Sequence, residues 1–221
     1  MRLSIIVPAY NENKTITDVI NALKSLNIDK EIIIVDDGST DDTRKVLSGL
    51  NGVQVIFHEK NQGKGAAIQT GLVAASGDVV LIQDADLEYN PQDIPSLVKR
   101  FSQGDVDAVF GSRFLKENPN IYKRYLFGNK FLTFLINLLY GSSYTDTYTG
   151  YKMIKRDVFK TLNVSSSRYE MEAEISIKLK KLGYKVEEVP INYKPRTLKE
   201  GKKIGWRDAL LGIATILKLL G

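Results

Sequence analysis

The chain reads as an α/β protein with a mostly parallel sheet covered by helices on both faces. Three observations predict this. Short runs such as Ile32–Val35 and Val79-Val80-Leu81-Ile82 are apolar throughout rather than alternating, which marks strands buried on both sides. Stretches with apolar residues at helical spacing separate these runs. Polar loops follow the strands, and ligands of such sheets bind outside the carboxyl ends of the strands.

Taken in order, Leu3–Val7 is the first strand, and the turn Pro8–Asn13 leads to a helix over Ile16–Leu26. Ile32–Val35 is the second strand. Ser39 or Thr40 is expected to cap a helix starting near Asp41, whose early acids suit the helix dipole. Val53–Phe57 is a third strand, followed by a helix from about Gly65 to Ala75. Val79–Gln83 is the fourth strand, Pro91–Phe101 a helix, and Val106–Phe110 a fifth strand. At 221 residues one domain is expected, with a core large enough to need neither disulfides nor a structural metal. There is no Cys, which removes thiolate chemistry and fits a reducing compartment. The apolar run at the N-terminus is too short for a secretory signal or a membrane span.

Charge is unevenly distributed. Residues 1–111 carry 10 Lys/Arg and 16 Asp/Glu, a balance of −6, whereas residues 112–221 carry 21 and 10, a balance of +11. The first half is suited to holding a cation, the second to meeting something anionic. Nucleic acid is a poor fit to that partner, because no interleaved aromatic and basic recognition motif is present.

The most informative segment is Asp84-Ala85-Asp86, with Glu88 just beyond, at the end of the Val79–Ile82 run. Two carboxylates presented by a strand end suit Mg²⁺ or Mn²⁺, hard cations that share their coordination shell with substrate phosphates. Together with Val35-Asp36-Asp37-Gly38-Ser39-Thr40-Asp41 upstream, it points to an enzyme that handles a nucleotide diphosphate. Two familiar nucleotide sites do not fit. The turn after the first strand is Pro8-Ala9-Tyr10-Asn11-Glu12, not the glycine-rich turn of a dinucleotide-binding domain, and Gly63-Lys64-Gly65-Ala66 does not make a P-loop.

Pro8–Glu12, Val35–Asp41, Asn61-Gln62-Gly63-Lys64-Gly65 and Asp84–Asp86 resemble, in order and rough spacing, the successive motifs of family 2 glycosyltransferases of the GT-A fold. They cover the first half of the chain. The second half is similar to the polyprenol-phosphate hexose synthases, the group of dolichol-phosphate mannose synthase. The matching pieces are Gly111–Phe114, Asp146–Lys152, and Val189–Tyr193 with Arg196 and Gly201–Lys203.

The resemblance implies a GT-A domain over 1–221, with a nucleotide- and metal-binding half (1–111), an acceptor half (112–203) and an amphipathic tail (204–221). It implies that Asp36 and Asp37 face the base and ribose, and that the loop with Pro8, Tyr10 and Glu12 walls the same pocket. Lys64 between its glycines, and Ala85, would also meet the nucleotide sugar. Asp84, Asp86 and Glu88 would hold Mg²⁺ or Mn²⁺; in the synthases the last of these is often Gln, so Glu88 departs from the pattern and bears on metal preference. The implied reaction is inverting transfer of a hexose from GDP-mannose or UDP-glucose to a polyprenyl phosphate. A phosphate acceptor is already an anionic nucleophile, so it needs cations to hold it more than a base to deprotonate it. Arg113, Arg124, Arg196, Lys202 and Lys203 are the candidates for that clamp.

Asp146 has three readings: orienting a sugar hydroxyl, acting as base for a hydroxyl acceptor, or capping a turn before Thr149-Gly150. Glu170 and Glu172 read as dipole-suited acids at a helix start, and His58, the single histidine, reads as structural. Phe131–Tyr140, behind Lys123, Arg124 and Lys130, and the helical tail Ile204–Leu220 are too short to span a bilayer. Beside basic residues they suit a helix lying on an anionic surface, with packing on the sheet or a dimer as the alternatives. With no further membrane helix before Gly221, association is expected to be peripheral, at the cytoplasmic face of a membrane. The alternatives are a family 2 enzyme for a saccharide or other soluble hydroxyl acceptor, and a silent sugar-nucleotide-binding module.

Overall fold

The structure, a computed structural model, describes residues 1–118, 123–196 and 206–220, and their side chains except those of residues 123–125 and 206–208. The strands are β1 (Leu3–Ala9), β2 (Lys30–Asp36), β3 (Gln54–Phe57), β4 (Val79–Ile82), β5 (Ala108–Ser112), β6 (Lys152–Lys155) and β7 (Val186–Pro190). They form one sheet in the order β3-β2-β1-β4-β6-β5-β7. Only β6 runs against its neighbours, β4 and β5; the other pairings are parallel. Ile5 pairs with Ile32 on one side and Leu81 on the other, so the centre of the sheet is branched and apolar in every direction. The mostly parallel sheet expected from the sequence is therefore present, with one antiparallel strand inserted.

The alternation of side chains sorts the core into two layers. Leu3, Ile5 and Val7 face α1 (Ile16–Ser25), α2 (Thr43–Ser48) and α4 (Ile94–Phe101), burying Val19, Leu23, Leu47 and Leu97 among others. Ile6, Ile33 and Val35 face α3 (Lys64–Ala74), α6 (Arg156–Thr161) and α7 (Met171–Lys181). Each fully buried Ile or Leu here contributes roughly 1.5–3 kcal/mol. A third cluster of Leu132, Ile136, Ala173, Ile177 and Ile216 joins α5 (Lys123–Tyr140) and α8 (Trp206–Lys218) to the outside of α7. Among the described residues, no helix is long and apolar enough to cross a membrane.

Local differences from the sequence reading have local causes. Ser39 and Thr40 do not cap a helix. Ser39 Oγ accepts from the Asn11 amide at 3.0 Å, and the Thr40 amide donates to Asn11 Oδ1 at 2.8 Å, so the pair ties the loop after β2 to the loop after β1. The helix then begins at Thr43, whose amide donates to Asp41 Oδ1 at 2.9 Å. The Pro91–Phe101 segment divides into a 3₁₀ turn at Pro91–Asp93 and α4.

Candidate active site

Because β1, β2 and β4 are parallel neighbours, their carboxyl ends share one edge of the sheet, and the loops there meet. They wall a cavity of about 740 Å³. Pro8 lines it from the end of β1, Tyr10 and Glu12 from the loop after it, Asp37 from the β2 loop, Lys64 from the start of α3, and Asp84, Ala85, Asp86 and Glu88 from the β4 loop. Arg113, Leu132, Tyr148, Glu172 and Arg196, from later in the chain, also line it.

The β4 loop concentrates negative charge. Leu87 takes a left-handed φ of 61°, which turns the chain so that the Glu88 amide donates to Asp86 Oδ1 at 3.1 Å. Asp84 Oδ1 lies 2.7 Å from Lys64 Nζ. Asp86 Oδ2 accepts from Arg196 Nη2 at 2.8 Å, and the same guanidinium donates to both Glu12 oxygens at 2.9 and 3.1 Å. Glu88 accepts from the Arg196 amide at 2.7 Å and from the Tyr193 hydroxyl. Burial, reinforced by the Asp84 and Glu88 charges, pushes the Asp86 carboxyl up to about 7 even though Arg196 opposes the shift. Among the described residues no three acidic or imidazole side chains are grouped as a ready ligand set. The chemistry of the donors nevertheless fits a hard divalent cation, because Asp84, Asp86 and Glu88 offer only oxygen.

Asp36 and Asp37, adjacent in sequence, go to different places. Asp37 lines the cavity; its Oδ1 accepts from the Gln62 amide at 2.9 Å and its Oδ2 from the Gly63 amide at 2.8 Å, which folds the Asn61–Gly63 turn. His58 Nδ1 lies 2.8 Å from Asp37 Oδ1, and its Nε2 lies 2.9 Å from Thr70 Oγ1, so the imidazole is wedged between the turn and α3. Asp36 is wholly buried, pairs with Arg44 at 3.0 Å, and is not among the cavity-lining residues.

Glu172, read from sequence as a dipole-suited acid, instead links two lysines in a buried ion chain. Lys152 on β6 has no exposed surface; its Nζ donates to the Thr147 and Thr149 carbonyls at 3.0 and 2.6 Å and to Glu172 Oε2 at 2.6 Å. Glu172 Oε1 accepts from Lys64 at 3.1 Å, and Lys64 reaches Asp84. Burial disfavours charge on Lys64, but Asp84 and Glu172 more than offset it and raise its pKa. For Lys152, burial outweighs Glu172 and lowers the pKa.

In the second half of the chain, Arg113 and Asp146 form a fork-to-fork pair: Nε to Oδ2 and Nη2 to Oδ1, both 2.7 Å. Asp146 is fully buried and does not line the cavity, whereas Arg113 does. Arg113 also lies 5.1 Å above the Tyr193 ring. Arg124 lies in the first turn of α5, but its side chain is outside the described ones; Lys202 and Lys203 lie outside the described residues. The structure thus brings Asp84, Asp86, Glu88, Glu12, Lys64, Arg113 and Arg196 to one cavity and leaves Asp36 and Asp146 behind its walls. The sequence reading missed Tyr148, Arg168, Tyr169 and Glu172 as lining residues. Lys152 and Tyr148 were within reach, since both fall in the quoted Asp146–Lys152 motif.

Comparison with known proteins agrees with this geometry. Residues 4–162 match the model of glycosyl transferase family 2. The chain is 35% identical over 212 residues to the UDP-N-acetylglucosamine–dolichyl-phosphate N-acetylglucosaminyltransferase of Methanococcus voltae, covering 85% of this chain and 83% of that one. It is 32% identical over 216 residues to the dolichol-phosphate mannosyltransferase of Pyrococcus furiosus, covering 93% of this chain and 60% of that one. The crystal structure of glucosyl-3-phosphoglycerate synthase from Mycobacterium tuberculosis with Mn²⁺, UDP and phosphoglyceric acid superposes with a TM-score of 0.76 at 25% identity, covering 100% of this chain and 78% of that one. The strand-end carboxylates, the parallel sheet that presents them and these matches together make the chain a member of glycosyl transferase family 2.

Proposed function

We propose that the protein transfers a hexose, with inversion, from a nucleotide-diphospho sugar to a polyprenyl phosphate at a membrane surface. The observation that carries this reading is the continuity of the cavity with α5 and α8. Gly128, Asn129 and Leu132 of α5 and Ala209 of α8 are among its lining residues. The outer side of the same two helices exposes Phe127, Phe131, Phe134, Leu138, Leu210 and Leu217. An apolar face of that extent beside a carboxylate-lined cavity suits an acceptor that is ionic at one end and hydrocarbon at the other. The two dolichyl-phosphate transferases named above support the same acceptor class. A peripheral position at the cytoplasmic face of a membrane follows as part of the proposal.

Within that reading each residue has a task. Asp37 meets the base or ribose, with the Pro8–Glu12 loop as the facing wall. Asp84, Asp86 and Glu88 are the residues that would hold Mg²⁺ or Mn²⁺, which when bound neutralises charge on the departing diphosphate. The M. tuberculosis structure, with Mn²⁺ and UDP, supports that assignment. Lys64, tethered by Glu172, supplies a cation on the donor side. Arg113, held rigid by Asp146 and the Tyr193 ring, presents its outer edge to the acceptor phosphate. Arg124, Arg196, Lys202 and Lys203 complete the proposed clamp.

A second reading, a soluble phosphorylated acceptor, is favoured by the phosphoglyceric acid in that same structure. Incubation of the protein with Mn²⁺ or Mg²⁺, a short polyprenyl phosphate, and separately GDP-mannose, UDP-glucose or UDP-N-acetylglucosamine decides between them. A lipid-linked sugar from one donor, formed only with metal, is the expected result. Transfer to 3-phosphoglycerate and none to lipid would establish the second reading instead.

A further inference from the structure

The loop between α6 and α7 carries a cation that neither the motifs nor the metal-site argument uses. Its backbone is seated firmly. The Ser165 and Ser166 amides donate to Glu174 at 2.9 and 2.8 Å, and the Ser167 carbonyl accepts from the Gly65 amide at 2.7 Å. Gly63 and Gly65 make this contact possible, since a Cβ on either would stand 2.3 Å from a carbonyl oxygen of Ser167 or Ser166. Gly63 also needs its φ of 101°, which L side chains rarely adopt. The loop therefore rests on the turn that delivers Lys64, and the stem of Arg168 runs along it, its Cγ 3.3 Å from the place of a Gly63 Cβ.

Lys64, Arg113, Arg168 and Arg196 all line the cavity. Three are committed: Lys64 to Asp84 and Glu172, Arg113 to Asp146, Arg196 to Glu12 and Asp86. The Arg168 guanidinium pairs with no carboxylate among the described residues. A guanidinium without a counter-ion, held at the mouth of a cavity by a fixed loop, is matched to a phosphate, which it can grip through two parallel N–H donors.

We propose that Arg168 binds the donor diphosphate, from the α6–α7 loop that rests on the turn carrying Lys64. This rests on the reading of the cavity as a nucleotide-sugar site, but not on the lipid acceptor. Calorimetric titration of the full chain with UDP, GDP, UMP and GMP, with Mn²⁺ and without lipid, tests it. In Arg168→Ala the Kd for the preferred diphosphate should rise about tenfold, the matching monophosphate should change less than about twofold, and Arg168→Lys should recover part of the loss. The melting temperature should stay that of the wild type, because the side chain is exposed. An unchanged diphosphate Kd in Arg168→Ala overturns the proposal. So does an unchanged diphosphate Kd joined to a raised KM for polyprenyl phosphate, which would move Arg168 to the acceptor. A wild type that binds UDP or GDP but glycosylates only a soluble acceptor refutes the lipid reading and leaves Arg168 on the donor.

Discussion

Arg196 Nη2 stands 2.8 Å from Asp86 Oδ2 across a separation of 110 residues, and it is the only guanidinium among the described residues that reaches the β4-loop carboxylates. One side chain thus bridges Glu12, Asp86 and Glu88. Arg196→Met should cost about 2 kcal/mol, roughly 4–8 °C in Tm. Added Mn²⁺ should raise the Tm of the variant more than that of the wild type, because Arg196 no longer competes with the metal for Asp86. Thermal melts with and without Mn²⁺ read both effects; equal metal shifts in the two proteins would count against a cation site at Asp86.

Asp86→Ala should reduce sugar transfer by about 100-fold or more at saturating Mn²⁺, the scale of losing a group that stabilises leaving-group charge. Initial rates with the donor found active are the measurement. Turnover equal to that of the wild type would remove Asp86 from the chemistry.

Asp146→Asn separates the structural from the catalytic reading of that residue. The carboxylate is fully buried against Arg113, so the amide leaves a buried guanidinium half-paired and should cost about 3–5 kcal/mol in urea unfolding. A general base would behave differently, with stability intact and kcat alone reduced.

Glu174 gives a pH signature of stability. Burial alone would raise its pKa, but Lys178 and the Ser165 and Ser166 donors outweigh burial and hold the carboxyl down near about 2, against an ordinary value of 4.5. A depressed pKa stabilises the fold above the unfolded value and ceases to do so as pH falls through the folded one. Glu174→Gln should therefore be about 2–3 kcal/mol less stable than the wild type at pH 7, with the gap closing between about pH 4.5 and pH 2. Urea melts at several pH values measure it; a gap independent of pH would mean the effect is packing, not charge.

Phe134 and Leu138 are 60% and 66% exposed on α5. Phe134→Glu with Leu138→Glu should weaken sedimentation with anionic vesicles about tenfold or more, since two apolar groups are lost and two like charges are added. UDP or GDP binding should not change. Vesicle binding equal to that of the wild type would assign this face to another partner.

The parts of the molecule legible in the sequence are those fixed by local pattern. The four parallel strands β1 to β4 announce themselves through short unbroken apolar runs such as Ile32–Val35 and Val79–Ile82, and the loops that follow them carry the acids. β6 and β7 do not. Lys152-Met153-Ile154-Lys155 has a lysine at each end, one of them buried, and Val186–Pro190 lies at the sheet edge with two glutamates. Glu172 looks like an ordinary first-turn acid because the two lysines that bury it come from 20 and 108 residues away. Arg113 and Asp146 were both legible as site candidates, but not as partners, since only the pairing of β5 with β6 and β7 brings their loops together. Arg168 had no motif around it; its place depends on the absence of Cβ atoms at Gly63 and Gly65.

The single antiparallel strand also sets an order of events during synthesis. β1 to β4 can pair as they leave the ribosome, because each finds its neighbour among residues already made. The far edge of β4 then waits through about 70 further residues until β6 emerges, and β5 arrives earlier with nothing in that first group to pair with. For that interval the nascent chain presents an open, wholly apolar strand edge. A pause or truncation between residues 83 and 151 is thus where this chain would be most exposed to capture by a chaperone or by another copy of itself.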